Sequence, residues 1–226
     1  MEIVLASGNK KKIGEMNALL SRYCKGEVKV LSLNDIGFEG DIEENGESFV
    51  ENAIIKASAP AALGYIGIAD DSGLCVNALG GAPGIYSARY SGEGATDAKN
   101  NEKLLCELEN KSDRSASFHC TIALVVPAEL GVEIPEALVN AEGAAFAVSI
   151  LNKDASVCIF SGECPGEILT AYRGEGGFGY DPLFYVPEKG KTFSELSAEE
   201  KNDISHRGRA MRAFGEKFNM IIEANK

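Results

Sequence analysis

Several features are missing from this 226-residue sequence, and each absence excludes a class of protein. No apolar run approaches the length needed to cross a bilayer, and the opening Met1-Glu2-Ile3-Val4-Leu5 lacks a basic segment leading to a cleavage site. A cytoplasmic protein with no membrane partner is therefore expected. The cysteines Cys24, Cys75, Cys106, Cys120, Cys158 and Cys164 form no C-x-x-C pair and have no histidine nearby at zinc-ligand spacing. They read as reduced core thiols. Basic residues are in deficit, with 22 Lys and Arg against 34 Asp and Glu, for a net charge of −12. That balance argues against nucleic acid as a partner but leaves small anions open through a local basic cluster. No repeat, low-complexity tract or linker divides the chain, so residues 1–226 are expected to form one domain.

An apolar content of 45% is enough for a substantial core. Ile3-Val4-Leu5-Ala6 reads as a buried strand ending at Ser7-Gly8-Asn9. Ile13, Met16, Leu19, Leu20 and Tyr23 then recur at helical spacing, which predicts a helix from Lys10 to Tyr23. Val28 to Leu31 reads as a second strand, and an acidic loop from Glu39 to Glu47 leads to a capping box at Ser48-x-x-Glu51. The helix behind it should kink or end at Pro60. A strand from Tyr65 to Ala69 is expected to run into Asp70-Asp71-Ser72-Gly73, followed by a long glycine-rich loop from Gly80 to Gly94. Thr96 caps a helix carrying Leu104, Leu105 and Leu108, and Phe118 to Val126 alternates as a half-buried strand. Strands are also expected at 144–151, 157–160 and 183–186. A second capping box at Ser197-x-x-Glu200 opens the closing pair of helices, the last striped with Met211, Phe214, Phe218, Ile221 and Ile222. This alternation predicts an α/β protein with a mixed sheet and flanking helices.

Ser7-Gly8-Asn9 followed by Lys10, Lys11 and Lys12 sets a hydroxyl, an amide and ammonium groups at a strand-to-helix turn, where backbone N–H groups favour phosphate. A solvated lysine run explains the segment alone, but cations gain nothing from the positive end of a helix, so an anion nearby is suggested. The neighbouring carboxylates of Asp70 and Asp71 repel unless a cation or proton separates them. Mg2+ fits, being held by one or two carboxylates, waters and substrate phosphates, and Glu43-Glu44 could supply another ligand. A turn cap at a strand end is the plain alternative for the aspartates. Lys56, with Glu51 and Asn52 one turn earlier, could project toward the same chemistry or simply line an exposed helix face. Phe178 and Asp181, within Gly176-Gly177-Phe178-Gly179-Tyr180-Asp181, could stack on a base and accept from its N–H edge, unless the segment is a tight structural turn. His206 and Arg207 place donors at a helix start, where they would accept a 6-keto purine and reject a 6-amino one.

Taken in order, Ser7-x-Asn9-x-x-Lys12, Glu43-Glu44-x-Gly46, Phe49-x-Glu51-Asn52-Ala53-x-x-Lys56-Ala57, Ala69-Asp70-Asp71-Ser72-Gly73-Leu74, Gly80-Gly81-Ala82-Pro83-Gly84-Ile85-Tyr86-Ser87-Ala88-Arg89, Gly176-Gly177-Phe178-Gly179-Tyr180-Asp181-Pro182 and Ser205-His206-Arg207-Gly208 resemble the inosine triphosphate pyrophosphatase family. The resemblance spans nearly the whole chain. It implies an elongated mixed sheet in two lobes around a nucleotide-binding cleft, a homodimer, and Mg2+-dependent hydrolysis of ITP, dITP and XTP to the monophosphate and pyrophosphate. By that resemblance Asp71 is the general base or water-orienting carboxylate, and Glu44, Asp70 and Asp71 are the candidate metal ligands. Ser7, Gly8, Asn9, Lys10, Lys11, Lys12 and Lys56 are candidates for the phosphates, and Ser72, Phe178, Gly179, Tyr180, Asp181, Lys201, His206 and Arg207 for the rest of the nucleotide. The chain departs from the pattern at Cys164, where an aromatic is common before a Pro165-Gly166 turn, and in the length of the segment 128–147. A related pyrophosphatase acting on pyrimidine or methylated nucleotides is disfavoured by the Phe178 and His206 segments, and a non-catalytic nucleotide sensor by the acidic pair.

Overall fold

A computed structural model of the chain describes residues 1–25, 28–139, 146–150 and 153–226. The first apolar run forms β1 (Glu2–Leu5), buried from Ile3 onward, and the periodic segment after the turn forms α1 (Lys10–Tyr23), which buries Met16, Leu19 and Leu20. β2 (Lys29–Ser32) and β3 (Ile66–Val76) both pair in parallel with β1, one on each side. Between them lies α2 (Phe49–Ala62), started by Ser48, whose Oγ accepts the Glu51 N–H at 3.1 Å. The reciprocal half of the expected capping box is displaced by one residue, since Glu51 accepts from the N–H of Glu47 at 2.6 Å. Pro60 lies inside the helix, which ends at Ala62.

α3 (Asp97–Glu107), capped by Thr96, precedes β4 (Ser115–Pro127). A short α4 (Glu136–Val139) follows, then β5 (Phe146–Ile150), β6 (Lys153–Ile168), β7 (Phe184–Val186) and β8 (Lys191–Thr192). α5 (Ala198–Ile204) and α6 (His206–Ala224) close the chain. The sheet order is β2-β1-β3-β4-β6-β7-β8, with β5 paired to β6. Parallel pairing around β1 and antiparallel pairing of β5, β7 and β8 make the sheet mixed, the α/β class expected from the sequence.

The chain divides into two compact units. The first holds Met1–Asp71, Thr121–Ser161 and Ala210–Lys226, the second Ser72–Cys120 and Gly162–Arg209. Small residues dominate the first core: Ala53, Ala57 and Ala61 of α2 cluster with Ala69, Ala123 and Val125. Gly67 carries this closeness furthest, for a Cβ there would lie 1.9 Å from the Ala57 carbonyl oxygen. Aromatic rings dominate the second core, where Phe118 packs at 4.7 Å from Phe184 and 5.6 Å from Phe193.

Three expectations are revised. β3 does not stop at Ala69 but continues through the aspartates to Val76. β4 alternates only as far as Cys120, and every residue from there to Pro127 is buried, since Ala123 and Val125 pack into the alanine cluster while Ile122 and Leu124 are buried on the other face. Pro165-Gly166 is strand rather than turn: exposed Pro165 needs no ladder N–H, and Gly166 lets β7 approach where a Cβ would lie 2.5 Å from the Tyr185 carbonyl oxygen. The expected strand at 144–151 is found at Phe146–Ile150, and residues 144, 145 and 151 lie outside the described residues. Of the thiols, Cys120, Cys158 and Cys164 are buried as read, Cys24 and Cys75 are half-buried, and Cys106 is exposed on α3.

Candidate active site

Because β3 passes through Asp70 and Asp71 without a break, their side chains leave on opposite faces of the strand. Asp71 shares the face of Gly67 and Ala69 and meets α2. Lys56 Nζ lies 2.8 Å from Asp71 Oδ1, and Asn52 Nδ2 lies 3.4 Å from Asp71 Oδ2. Lys56 Nζ also donates to Glu44 Oε2 at 3.2 Å, so one ammonium joins the acidic loop to the strand. Asn52 strengthens the tie by accepting the Gly46 N–H at 2.9 Å. A Cβ on Gly46 would sit 2.7 Å from Glu51 Cβ, so glycine is required for the loop to pass this closely. On the opposite face, Asp70 Oδ2 is 3.5 Å from Lys12 Nζ, and the Asp70 side chain is fully buried. The structure thus brings Glu44, Lys56 and Asp71 together and sets Asp70 with Lys12 behind them. The turn-cap alternative for Asp70 and Asp71 falls with the continuity of β3.

Charge around Asp71 is unbalanced. Burial raises the Asp71 carboxyl above the ordinary aspartate range, Lys56 and Lys12 oppose the rise, and Glu44 adds to it. Burial alone would lower the Lys56 pKa, but Asp71, Asp70 and Glu44 outweigh it and hold the ammonium above its usual value. An isolated ion pair would lower its acid and raise its base. Here both move up, Asp71 chiefly because burial disfavours its charged form and Lys56 because Asp71, Asp70 and Glu44 surround it. Such a site gains from a further cation. Among the described residues no group of three or more His, Cys, Asp or Glu forms a closed metal cage. A hard cation completed by water and phosphate needs only one or two carboxylates, and Glu44 with Asp71 satisfies that.

At the start of α1, Ser7 Oγ accepts the Asn9 N–H at 3.3 Å and Asn9 Oδ1 accepts the Lys12 N–H at 3.2 Å. Asn9 thereby caps the helix, with Gly8 and Asn9 exposed beside it. No acidic residue stands in the first turn of α1. The side chains of Lys10 and Lys11 lie outside what the structure describes.

The second unit holds the aromatic loop. Lys201 Nζ lies 2.7 Å from Asp181 Oδ2 and 4.7 Å from the centre of the Phe178 ring. Asp181 Oδ2 also accepts the Phe178 N–H at 2.9 Å, folding the loop over its own carboxylate, and at Gly177 (φ 77°) a Cβ would strike that oxygen at 2.2 Å. Tyr180 is buried and donates to the Ser87 carbonyl at 2.9 Å. His206 and Arg207 open α6 and are both buried. The His206 ring stacks on Phe118 at 4.7 Å, and Arg207 Nη2 donates to Ser72 Oγ at 2.9 Å. Gly208 allows this helix start to fold against α5, since a Cβ would meet the Asn202 carbonyl at 1.8 Å.

Residues not singled out in the sequence complete this region. Asp97 Oδ2 accepts the Gly179 N–H at 2.8 Å, and Asn101 Nδ2 donates to the Gly179 carbonyl at 2.9 Å. Asn100 accepts the Ser91 N–H at 2.8 Å and donates to the Ala88 carbonyl at 3.1 Å. Their one signal was three polar side chains spaced for the inner side of a helix at Asp97, Asn100 and Asn101.

Residues 3–217 match the Ham1 family. The chain belongs to the Ham1 family. It is 46% identical over 222 residues to the dITP/XTP pyrophosphatase of Desulfotalea psychrophila, covering 98% of this chain and 86% of that protein. It is 44% identical over 224 residues to the dITP/XTP pyrophosphatase of Geobacillus kaustophilus, covering 98% and 96%. The solved structure of a Ham1 protein from Coxiella burnetii matches with a TM-score of 0.78 at 43% identity, over 97% of this chain and 99% of that one.

Proposed function

We propose that this Ham1-family chain hydrolyses the non-standard purine nucleotides dITP, ITP and XTP to the monophosphate and pyrophosphate with Mg2+, and so cleanses the nucleotide pool. The relatives' shared name supports the substrate class. The observation that carries the chemistry is the cluster of half-exposed Glu44 with buried Lys56 and Asp71, in which carboxylates exceed ammoniums. Glu44 and Asp71 are the residues that would hold Mg2+, which when bound neutralises phosphate charge and polarises the anhydride. Asp70, turned to the far face, holds Lys12 for the phosphates instead of serving as a direct ligand.

Ser7, Gly8, Asn9 and Lys12 offer hydroxyl, backbone, amide and ammonium donors to the phosphate chain, and Lys56 adds its ammonium beside Asp71. Asp71 accepts a proton from water and orients that water toward the α phosphorus, opposite the leaving pyrophosphate. Its raised pKa suits the task, because a carboxylate of greater basicity is a better general base. In the second unit, Phe178 stacks on the purine, and Asp181 and Lys201 fix the loop that carries it. Ser72 and Tyr180 set the surroundings, the former through Arg207. Arg207 and His206 donate to the 6-keto oxygen. Adenine presents a 6-amino donor there and would leave buried donors unpaired.

The same reading takes the protein as a cytoplasmic homodimer. Release of pyrophosphate and dIMP from dITP, abolished by EDTA and restored by added Mg2+, is the expected result. Full activity in chelator, or dIDP and orthophosphate as first products, would overturn it.

A further inference from the structure

The aromatic loop is gripped from outside by α3. Asp97 accepts the N–H of Gly179 at 2.8 Å, and Asn101, one turn later on the same helix face, donates to the carbonyl of Gly179 at 2.9 Å. Gly179 has φ 60°, so its backbone is in a conformation that most side chains avoid. Its N–H belongs to the peptide bond whose carbonyl is that of Phe178, and the N–H of Phe178 is bound by Asp181 at 2.9 Å. Both peptide groups flanking Phe178 are therefore held by carboxylates, one of them supplied by α3. These bonds fix the backbone from which the Phe178 ring projects, and Lys201 Nζ lies 4.7 Å from the ring centre.

Fold stability does not account for Asn101. It is 2% exposed, and its Oδ1 is buried with no hydrogen-bond partner among the described residues. An unsatisfied amide oxygen makes asparagine an expensive choice for filling space. What the residue supplies is its amide, whose Nδ2 donates to the Gly179 carbonyl and whose side chain also hydrogen-bonds Tyr172. Asn100 extends the pattern, since it holds Ser91 and Ala88 in the neighbouring loop.

We propose that Asp97 and Asn101 are positioning residues for base selection, fixing Gly179 so that Phe178 meets a purine in one orientation. The inference rests on the assignment of Phe178 as the base-stacking residue. The two groups touch the loop backbone, so their loss should weaken nucleotide binding and selection without altering the hydrolytic step.

The test uses the full chain with Mg2+, measuring kcat and KM for dITP and dATP. Asp97→Ala and Asn101→Ala should each raise KM for dITP about tenfold, the size expected for losing one strong hydrogen bond, with kcat near its original value. The dITP-to-dATP ratio of kcat/KM should fall in parallel. Asp97→Asn keeps an oxygen acceptor for the Gly179 N–H and should restore KM. In a Phe178→Ala background, Asp97→Ala should add little, because both changes remove the same placed ring. Unchanged KM and ratio in both alanine variants, a fall in kcat alone, or full additivity with Phe178→Ala would overturn the inference. If the unaltered protein releases no pyrophosphate from dITP, the proposed function fails. If it is active and the variants do not shift, only the role of α3 fails.

Discussion

The two units solve different problems with different materials. Around Asp71 the first unit gathers full charges: Glu44, Asp70 and Asp71 with Lys12 and Lys56, on a scaffold of alanines and a glycine close enough to bring α2 against β3. Around Phe178 the second unit uses mainly rings, amides and backbone groups, with Asp181 and Lys201 as a buried ion pair. Charge at short range acts on any triphosphate alike. Placed donors and a stacking ring distinguish one base from another. The division predicts that changes in the first cluster alter turnover for all substrates, and changes in the second alter the ratio between them.

The largest expected effect comes from Asp71→Asn, which should lower kcat by about 10²–10⁴-fold, the range of general-base loss, for dITP and dATP equally. A changed substrate ratio would break the comparison. Arg207→Ala should do the reverse, narrowing the dITP-to-dATP ratio of kcat/KM by about one to two orders of magnitude for each lost donor. An unchanged ratio would leave Arg207 as a structural partner of Ser72. The mildest effect is a shift in pH dependence. Asp71 acts when ionised, and in the metal-free protein its carboxyl titrates above the ordinary aspartate value of 3.8, so the acid limb of its titration, followed by NMR in EDTA, lies above that value. Lys56 opposes that rise. Lys56→Met should therefore carry the limb to higher pH, whereas Arg207→Ala should leave it in place. A limb that moves down, or moves in both variants, would contradict the electrostatics around Asp71.

Much of the fold and of the charged site is legible in the sequence. Helix positions follow from the spacing of Met16 and Leu19 or Phe214 and Phe218, and from caps at Ser48, Thr96 and Ser197, because apolar period and capping chemistry are local. Helical spacing sets Lys56 one turn from Glu51 and Asn52 but leaves an exposed face equally open, and its burial beside Asp71 decides between them. The course of β3 is not legible, since paired aspartates followed by Ser-Gly read as a turn, and only the neighbours on both strand faces keep them extended. Reading a turn there conceals the separation of Asp70 from Asp71. Pro165-Gly166 misleads in the same way, for the room that Gly166 provides is needed by β7, a strand distant in sequence. Asp97 and Asn101 carry no recognisable motif, and their role depends on Gly179, also far along the chain. Local rules find the side chains bearing charge, while the groups that aim them emerge from tertiary contacts.

The account turns on Asp71 directing water at the α phosphorus, and hydrolysis of dITP in heavy-oxygen water tests this most directly. Mass spectrometry of the products should find the heavy oxygen in dIMP and none in pyrophosphate, and Asp71→Asn should suppress that labelling. Heavy oxygen in pyrophosphate would place the attack on the β phosphorus and contradict the assignment.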